Sequence, residues 1–295
     1  MNGIQAHRGA AIALSALALI TLVLTGCQAS RQPAASSPSS RPSQVELPFT
    51  GLNSPTELAV DGVGDVYVTD EVNNRVLKLP AGSNTQVELP FTRPTYLGGL
   101  AVDTADNVYI TDGPVPPGPL NQPTNGRVLK LPIGSNTPVG LPFTDLSNPA
   151  GVAVDSKGNV YVTDWGFVWK LPAGSNTATK LPFNGVNVAV DTTGNLYLTD
   201  VPNRVLKLPP GSNTPVEMPF NGVKVPSGVA VDTAGNVYVA DLNNNRVLKL
   251  PAGSTTQVEL PFTGLNSPAG VAVDTAGNVY VADDHNNRVL KLPAG

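Results

Sequence analysis

The sequence predicts an all-β fold, a six-bladed β-propeller, and three observations carry that prediction. Gly and Pro number 29 each in 295 residues, about a fifth of the chain against about an eighth in average usage. They interrupt nearly every window of a dozen residues, which excludes a helical fold. The apolar residues fall in short Val-, Leu- and Tyr-rich runs, the pattern of buried strands. The third observation is a six-fold repeat whose clearest segment is V-D-x-x-x-x-(V/L)-Y-(V/I/L)-(T/A)-D. Its first Asp falls at Asp61, Asp103, Asp155, Asp191, Asp232 and Asp274, at intervals of 42, 52, 36, 41 and 42 residues. The second follows nine residues later, at Asp70, Asp112, Asp164, Asp200, Asp241 and Asp283. A repeat of this length holding four short strands is one propeller blade.

The composition excludes other classes. A net charge of −4 is too small to hold a chain open by self-repulsion. It also excludes strong electrostatic binding to nucleic acid, since no basic cluster offsets it. One Cys excludes a disulfide within the chain.

The elements follow in order. Residues 1–8 carry Arg8, and residues 9–24, GAAIALSALALITLVL, are an apolar run of 16. That is short for a stable membrane span and suits a signal h-region. Leu24-Thr25-Gly26-Cys27 resembles the bacterial lipobox, which implies cleavage after residue 26 and diacylation of Cys27. Two acyl chains suffice for stable anchoring. The alternative is an ordinary secretory signal that contains a Cys. Residues 1–26 are thus expected to be a lipoprotein signal, and 27–43 the lipidated Cys with a Ser/Pro-rich tether. The tether from 28 reaches at most roughly 50 Å.

The domain proper is expected at 44–295. Each blade reads as strand a, GVAVD; strand b, NVYVTD; strand c, RVLKLP; and strand d, QVELPF. The a–b turn, DTAGN, has Asp for an Asx-turn and Gly for positive φ. The chain stops after strand c of the sixth copy. It opens with Gln44-Val45-Glu46-Leu47-Pro48-Phe49, a strand d with nothing before it. Strand 44–49 should therefore complete the last blade and close the ring.

The repeats resemble NHL repeats. The similarity lies in P-x-G-V-A-V-D (149–155, 226–232, 268–274), G-N-V-Y-V-(T/A)-D (158–164, 235–241, 277–283) and N-R-V-L-K-L-P (203–209, 245–251, 287–293). They resemble the extracellular sensor propeller of mycobacterial receptor Ser/Thr kinase D. The resemblance implies binding or sensing outside the cell. It does not imply kinase activity, because no H-R-D or D-F-G motif occurs and a lipobox stands in place of the span.

A residue present in every blade is needed by the blade. The repeated Asp, Lys and Arg are read as strand-end hydrogen bonding and a surface charge row. A calcium loop at D-T-A-G-N lacks the necessary ligand spacing. Function should lie where the symmetry breaks, and all length changes fall in the b–c and d–a loops, on one face. Blade 2 inserts GPVPPGPLNQPTNG (113–126), and blade 3 reads Trp165-Gly166-Phe167-Val168-Trp169. Candidate ligand-binding residues on this face are Arg93, Tyr96, Gln122, Asn125, Trp165, Phe167, Trp169, Asp284 and His285. The alternative is that the two Trp residues only fill space under the insertion and that His285 is only a polar turn residue.

The function expected is a lipid-anchored, monomeric binding, sensor or adhesion protein on the outer face of the bacterial plasma membrane. Its ligand would be a protein, a glycan or cell wall. No catalytic residue, metal, cofactor or nucleic-acid partner is expected. The alternative is a propeller enzyme of lactonase or lyase type with a divalent cation. After cleavage His285 is the single histidine, too few for a multi-His zinc site. Among acids near the starts of the a strands, Glu57 is the main one.

Overall fold

A computed structural model describes residues 43–92, 94–114, 125–200 and 202–295. The strands begin with β1 (Val45–Glu46). Blade 1 is β2 (Pro55–Val60), β3 (Val66–Asp70), β4 (Arg75–Leu79) and β5 (Val87–Glu88). Blade 2 is β6 (Leu97–Val102), β7 (Val108–Asp112), β8 (Arg127–Leu131) and β9 (Val139–Gly140). Blade 3 is β10 (Pro149–Val154), β11 (Val160–Asp164), β12 (Phe167–Leu171) and β13 (Thr179–Leu181). Blade 4 is β14 (Asn187–Val190), β15 (Leu196–Asp200), β16 (Arg204–Leu208) and β17 (Val216–Glu217). Blade 5 is β18 (Pro226–Val231), β19 (Val237–Asp241), β20 (Arg246–Leu250) and β21 (Val258–Glu259). Blade 6 is β22 (Pro268–Val273), β23 (Val279–Asp283) and β24 (Arg288–Leu292), joined by β1.

Each blade is a four-stranded antiparallel sheet in chain order, except the last. There β1 pairs with β24, Val45 opposite Lys291 and Glu46 opposite Leu290. Leu47 N–H donates to the Val289 carbonyl at 2.9 Å. Arg288 Nη1 lies 3.5 Å from Glu46 Oε2, and Gln44 exchanges two hydrogen bonds with the Thr263 backbone. The closure expected from the sequence is therefore present. The six first strands contact one another in a ring, β2 to β6 and onward to β22 and back. They surround the axis.

Strand d is shorter than the sequence reading: most copies pair over only two residues. Pro48, Pro90, Pro142, Pro219 and Pro261 follow shortly after. Proline has no N–H to donate, so the ladder stops there. The strands carry little helix between them; Leu242–Asn244 and Asp284–Asn286 are single 3₁₀ turns in the b–c loops of blades 5 and 6.

The core lies between blades. Val66, Val68 and Leu77 of blade 1 pack with Ala272, Tyr280 and Val289 of blade 6. Five equivalent clusters fill the remaining seams. Strand b is buried at every position in all six blades. Since each blade buries its faces only against neighbours, no blade is stable alone.

Candidate functional site

The repeated charges are structural. In each a–b turn the first Asp accepts backbone N–H groups two and four residues on, as Asp232 does from Ala234 and Asn236. It also accepts the hydroxyl of the buried Tyr six residues later, at 2.8–3.2 Å in all six blades. Above each Tyr ring lies the Lys of strand c, 5.0–5.4 Å from the centroid, within cation–π range. Burial disfavours charge on Asp103, Asp155, Asp191, Asp232 and Asp274, but the hydrogen bonds, led by those from Asn107, Asn159, Asn195, Asn236 and Asn278, hold them below the usual range. Burial, reinforced by the adjacent Asp, pushes the tyrosines up.

The second Asp ties the opposite face. Asp70 is fully buried and accepts Asn53 N–H at 2.7 Å and Arg75 Nε at 2.7 Å. Arg75 then reaches the Gly51 carbonyl. Asp241 and Asp283 repeat this arrangement. One carboxylate thus pins both the d–a and the b–c loop of its blade.

The variable-face candidates divide into two groups, at seams two blades apart on the ring. The first is aromatic and sits on blades 2 and 3. Trp165 and Gly166 form a two-residue hairpin loop between β11 and β12, with φ of 46° and 85°. Such a loop favours Asn-Gly, since both residues take positive φ. Here the first position holds a Trp that is 72% exposed. Phe167 and Trp169 alternate onto one side of β12, and Lys180 Nζ lies 3.1 Å from the Phe167 centroid and 5.9 Å from that of Trp169. Phe167 remains exposed, whereas Trp169 packs against the blade 2–3 core beside Leu141 and Ala178. Its indole Nε1 is buried and has no hydrogen-bond partner among the described residues. Tyr96 is exposed, and its carbonyl accepts Gly113 N–H at 2.8 Å. Asn125 Nδ2 donates to the Thr144 carbonyl. Arg93, Gln122 and Cys27 lie outside the described residues.

The second group lies at the seam of blades 6 and 1. His285 Nδ1 is 3.1 Å from Ser267 Oγ, and Nε2 is 3.8 Å from Asp284. Asp284 Oδ1 is occupied by the Ser54 hydroxyl at 2.6 Å. The ring of His285 is largely exposed. Glu71 is held above the usual carboxylate range by burial and by nearby Asp284.

One pair was not recognised as a pair from the sequence. The third position of strand a is Gly99, Gly151, Gly228 and Gly270 in four blades. A Cβ there would come within 2.4 Å of Val152 N at Gly99 and 2.5 Å of the Thr56 carbonyl at Gly270. The inner strands therefore close tightly around the axis. Blades 1 and 4, diametrically opposed, carry Glu57 and Asn187 instead. Asn187 Nδ2 donates to Glu57 Oε1 at 2.6 Å, across 130 residues of sequence. Burial raises the Glu57 pKa to about 8, with the Asn187 hydrogen bond offsetting part of the rise. Glu57 nevertheless keeps some solvent contact. An axial cavity of about 180 Å³ adjoins this layer, lined by residues 58–60 of blade 1 and their counterparts in every blade. The missed signal was available: within the repeat, only these two residues depart from Gly at that position. Among the described residues no three His, Cys, Asp or Glu come together as a metal site.

NHL repeats match the chain at residues 146–166, 224–250 and 265–292. No curated protein sequence matches significantly. Similar solved structures include a streptogramin B lyase, 16% identical with a TM-score of 0.62, covering 86% of this chain and 98% of that one. A nidogen/laminin complex matches at 19% identity and TM-score 0.64, over 81% and 89%. A gluconolactonase from Xanthomonas campestris matches at 14% identity and TM-score 0.65, over 85% and 89%. These likenesses describe a shared fold. The chain is an all-β, six-bladed propeller with NHL repeats in those three stretches.

Proposed function

We propose that this protein is a lipid-anchored binding or adhesion protein of the bacterial cell envelope, displayed on the outer face of the plasma membrane. It resembles a kinase sensor domain in its repeats and carries no kinase motif. Its ligand, a protein, glycan or cell-wall polymer, meets the b–c/d–a face at blades 2 and 3. One observation carries the reading. Trp165 is a large, exposed aromatic in a left-handed backbone conformation that favours Asn or Gly. That conformation costs about 1–2 kcal/mol for a side chain with a Cβ, and burial of the indole does not offset it. Strain of this kind persists at binding sites. Phe167 with its Lys180 cap and exposed Tyr96 extend the aromatic surface. Aromatics beside cations are what binding hot spots use.

Ligand capture from envelope extracts by wild type and by Trp165→Gly/Phe167→Ala tests the site. The variant should lose at least tenfold in affinity, and unchanged capture removes this face. For the anchor, Cys27→Ala should move the protein from the membrane to the soluble fraction. Wild-type protein without lipid, with Cys27→Ala still in the membrane, refutes the lipoprotein reading.

An enzymatic reading draws support from Glu57, whose pKa near 8 suits acid–base work, and from lyase and lactonase propellers of similar fold. A hydrolase and lyase screen, with and without chelator, discriminates. Turnover lost in Glu57→Gln would support it.

A further inference from the structure

We propose that the axial channel is a binding cup for a small primary ammonium ligand, entered from the a–b turn face and floored by Glu57 and Asn187. This site is separate from the aromatic surface of blades 2 and 3, and neither reading depends on the other.

The cup is built from the inner strands. Residues 58–60, 100–102, 152–154, 188–190, 229–231 and 271–273 line a cavity of about 180 Å³, room for a ligand of a few non-hydrogen atoms. Each inner strand pairs with strand b on one side only. Its other edge therefore has backbone N–H and C=O groups without a ladder partner, some of them capped by Thr hydroxyls, as Ala150 and Ser227 are by Thr111 and Thr199. One residue beyond this lining, Glu57 and Asn187 meet across the axis, and the glycine positions beside them leave no space for other side chains.

The charge balance selects the ligand. Glu57 is the one ionisable residue of the six inner strands, which hold no Lys, Arg or His. Packed against it are Thr56, Thr69, Gly270 and Asn187, all neutral. A carboxyl enclosed without a cation is incompletely compensated. Only Oε1 receives the Asn187 amide, so Oε2 is left for a donor. At the mouth, Asp61, Asp103, Asp155, Asp191, Asp232 and Asp274 directly follow the inner strands. The lysines that accompany them stem from strand c, two strands farther out, and reach back over the Tyr rings, Lys130 Nζ coming within 4.0 Å of Asp103 Oδ2. The negative end of each Asp–Lys pair therefore faces the mouth, and a rim of one sign concentrates ions of the other. An ammonium supplies one charge for Oε2 and further N–H donors for the strand carbonyls. A divalent metal finds a single carboxylate here, too few hard ligands.

Isothermal titration of the full chain tests the cup with methylammonium and 1,4-diaminobutane as probes. Tetramethylammonium, potassium, calcium and methanol serve as comparisons. At least one amine should bind, at least tenfold more tightly at pH 8.5 than at pH 6.5, with proton release at the lower pH. Glu57→Gln should abolish that binding and Asn187→Ala weaken it, each retaining cooperative melting. Glu57→Asp is the fallback if Glu57→Gln does not fold, and should bind at least tenfold more weakly. Trp165→Gly should bind the amines as wild type does, so failure of the cup leaves the aromatic-face reading intact. Absence of amine binding, equal binding by Glu57→Gln, or preference for calcium or tetramethylammonium overturns the proposal.

Discussion

At the residue scale, repeated and unrepeated side chains do different work. The second Asp of blades 1, 2, 5 and 6 is fully buried, with an Arg and at least one backbone amide converging on it. Asp241→Ala would leave Arg246 and two loops without their common acceptor. It should cost about 3–5 kcal/mol of stability in urea unfolding, whereas Tyr238→Phe, which deletes one hydrogen bond to Asp232, should cost about 1 kcal/mol. Glu57 makes a pH-dependent prediction. Burial raises its folded pKa to about 8, from 4.5 for an exposed carboxyl. Between those values the folded protein holds a proton that the unfolded chain has released. Stability should therefore fall as pH rises from 4.5 to 8, by up to about 1.4 kcal/mol per unit, and level off above. Glu57→Gln should lack this contribution. Unfolding curves of both proteins from pH 5 to 9 check the sign, and a parallel pH dependence in the two would contradict it.

At the scale of elements, the blade was legible because every element has a local cause. Asp and Gly set the a–b turn, Val and Tyr set the buried b strand, and Pro ends strand d. The site was less legible because its geometry is non-local. Glu57 and Asn187 are neighbours only after three blades have turned half the ring, and periodicity does not place two side chains on a common axis. Trp169 is similar: its place in the hairpin was readable, but lying deeper along β12 it reaches the blade 2–3 seam, while Trp165 in the turn stays in solvent. The Ser267 hydroxyl beside His285 also comes from another loop, 18 residues away. The glycines of the inner strands follow from close backbone approach. Gly99→Ala would set a Cβ 2.4 Å from Val152 N, so two inner strands must separate. It should cost about 1–3 kcal/mol, as overpacking does, while Gly134→Ala meets no atom and is penalised only through its φ of 69°. Equal melting of Gly99→Ala and wild type would contradict the tight inner ring.

At the scale of the whole molecule, the ring depends on its N-terminal strand. The first strand lies 242 residues before its partner β24, with Leu47 and Phe49 packed into the seam between blades 6 and 1. Removing residues 44–49 opens that seam and exposes β24 as an edge. The whole propeller should then melt earlier in one cooperative transition, since no blade keeps its core alone. Unchanged melting would refute closure. The closed ring gives two faces of different character. One repeats the Asp-Tyr-Lys turn six times. The other holds every change of loop length, exposed Trp165, Phe167 and Tyr96, and the His285 cluster. The assignment of ligand binding to that second face is tested most directly by site-specific photocrosslinking on intact cells. A photoreactive residue at position 165 is compared with one at position 213, in a c–d turn of the repetitive face. Discrete adducts from 165 and none from 213 are predicted. Adducts from 213 alone, or the same adducts from both, would contradict it.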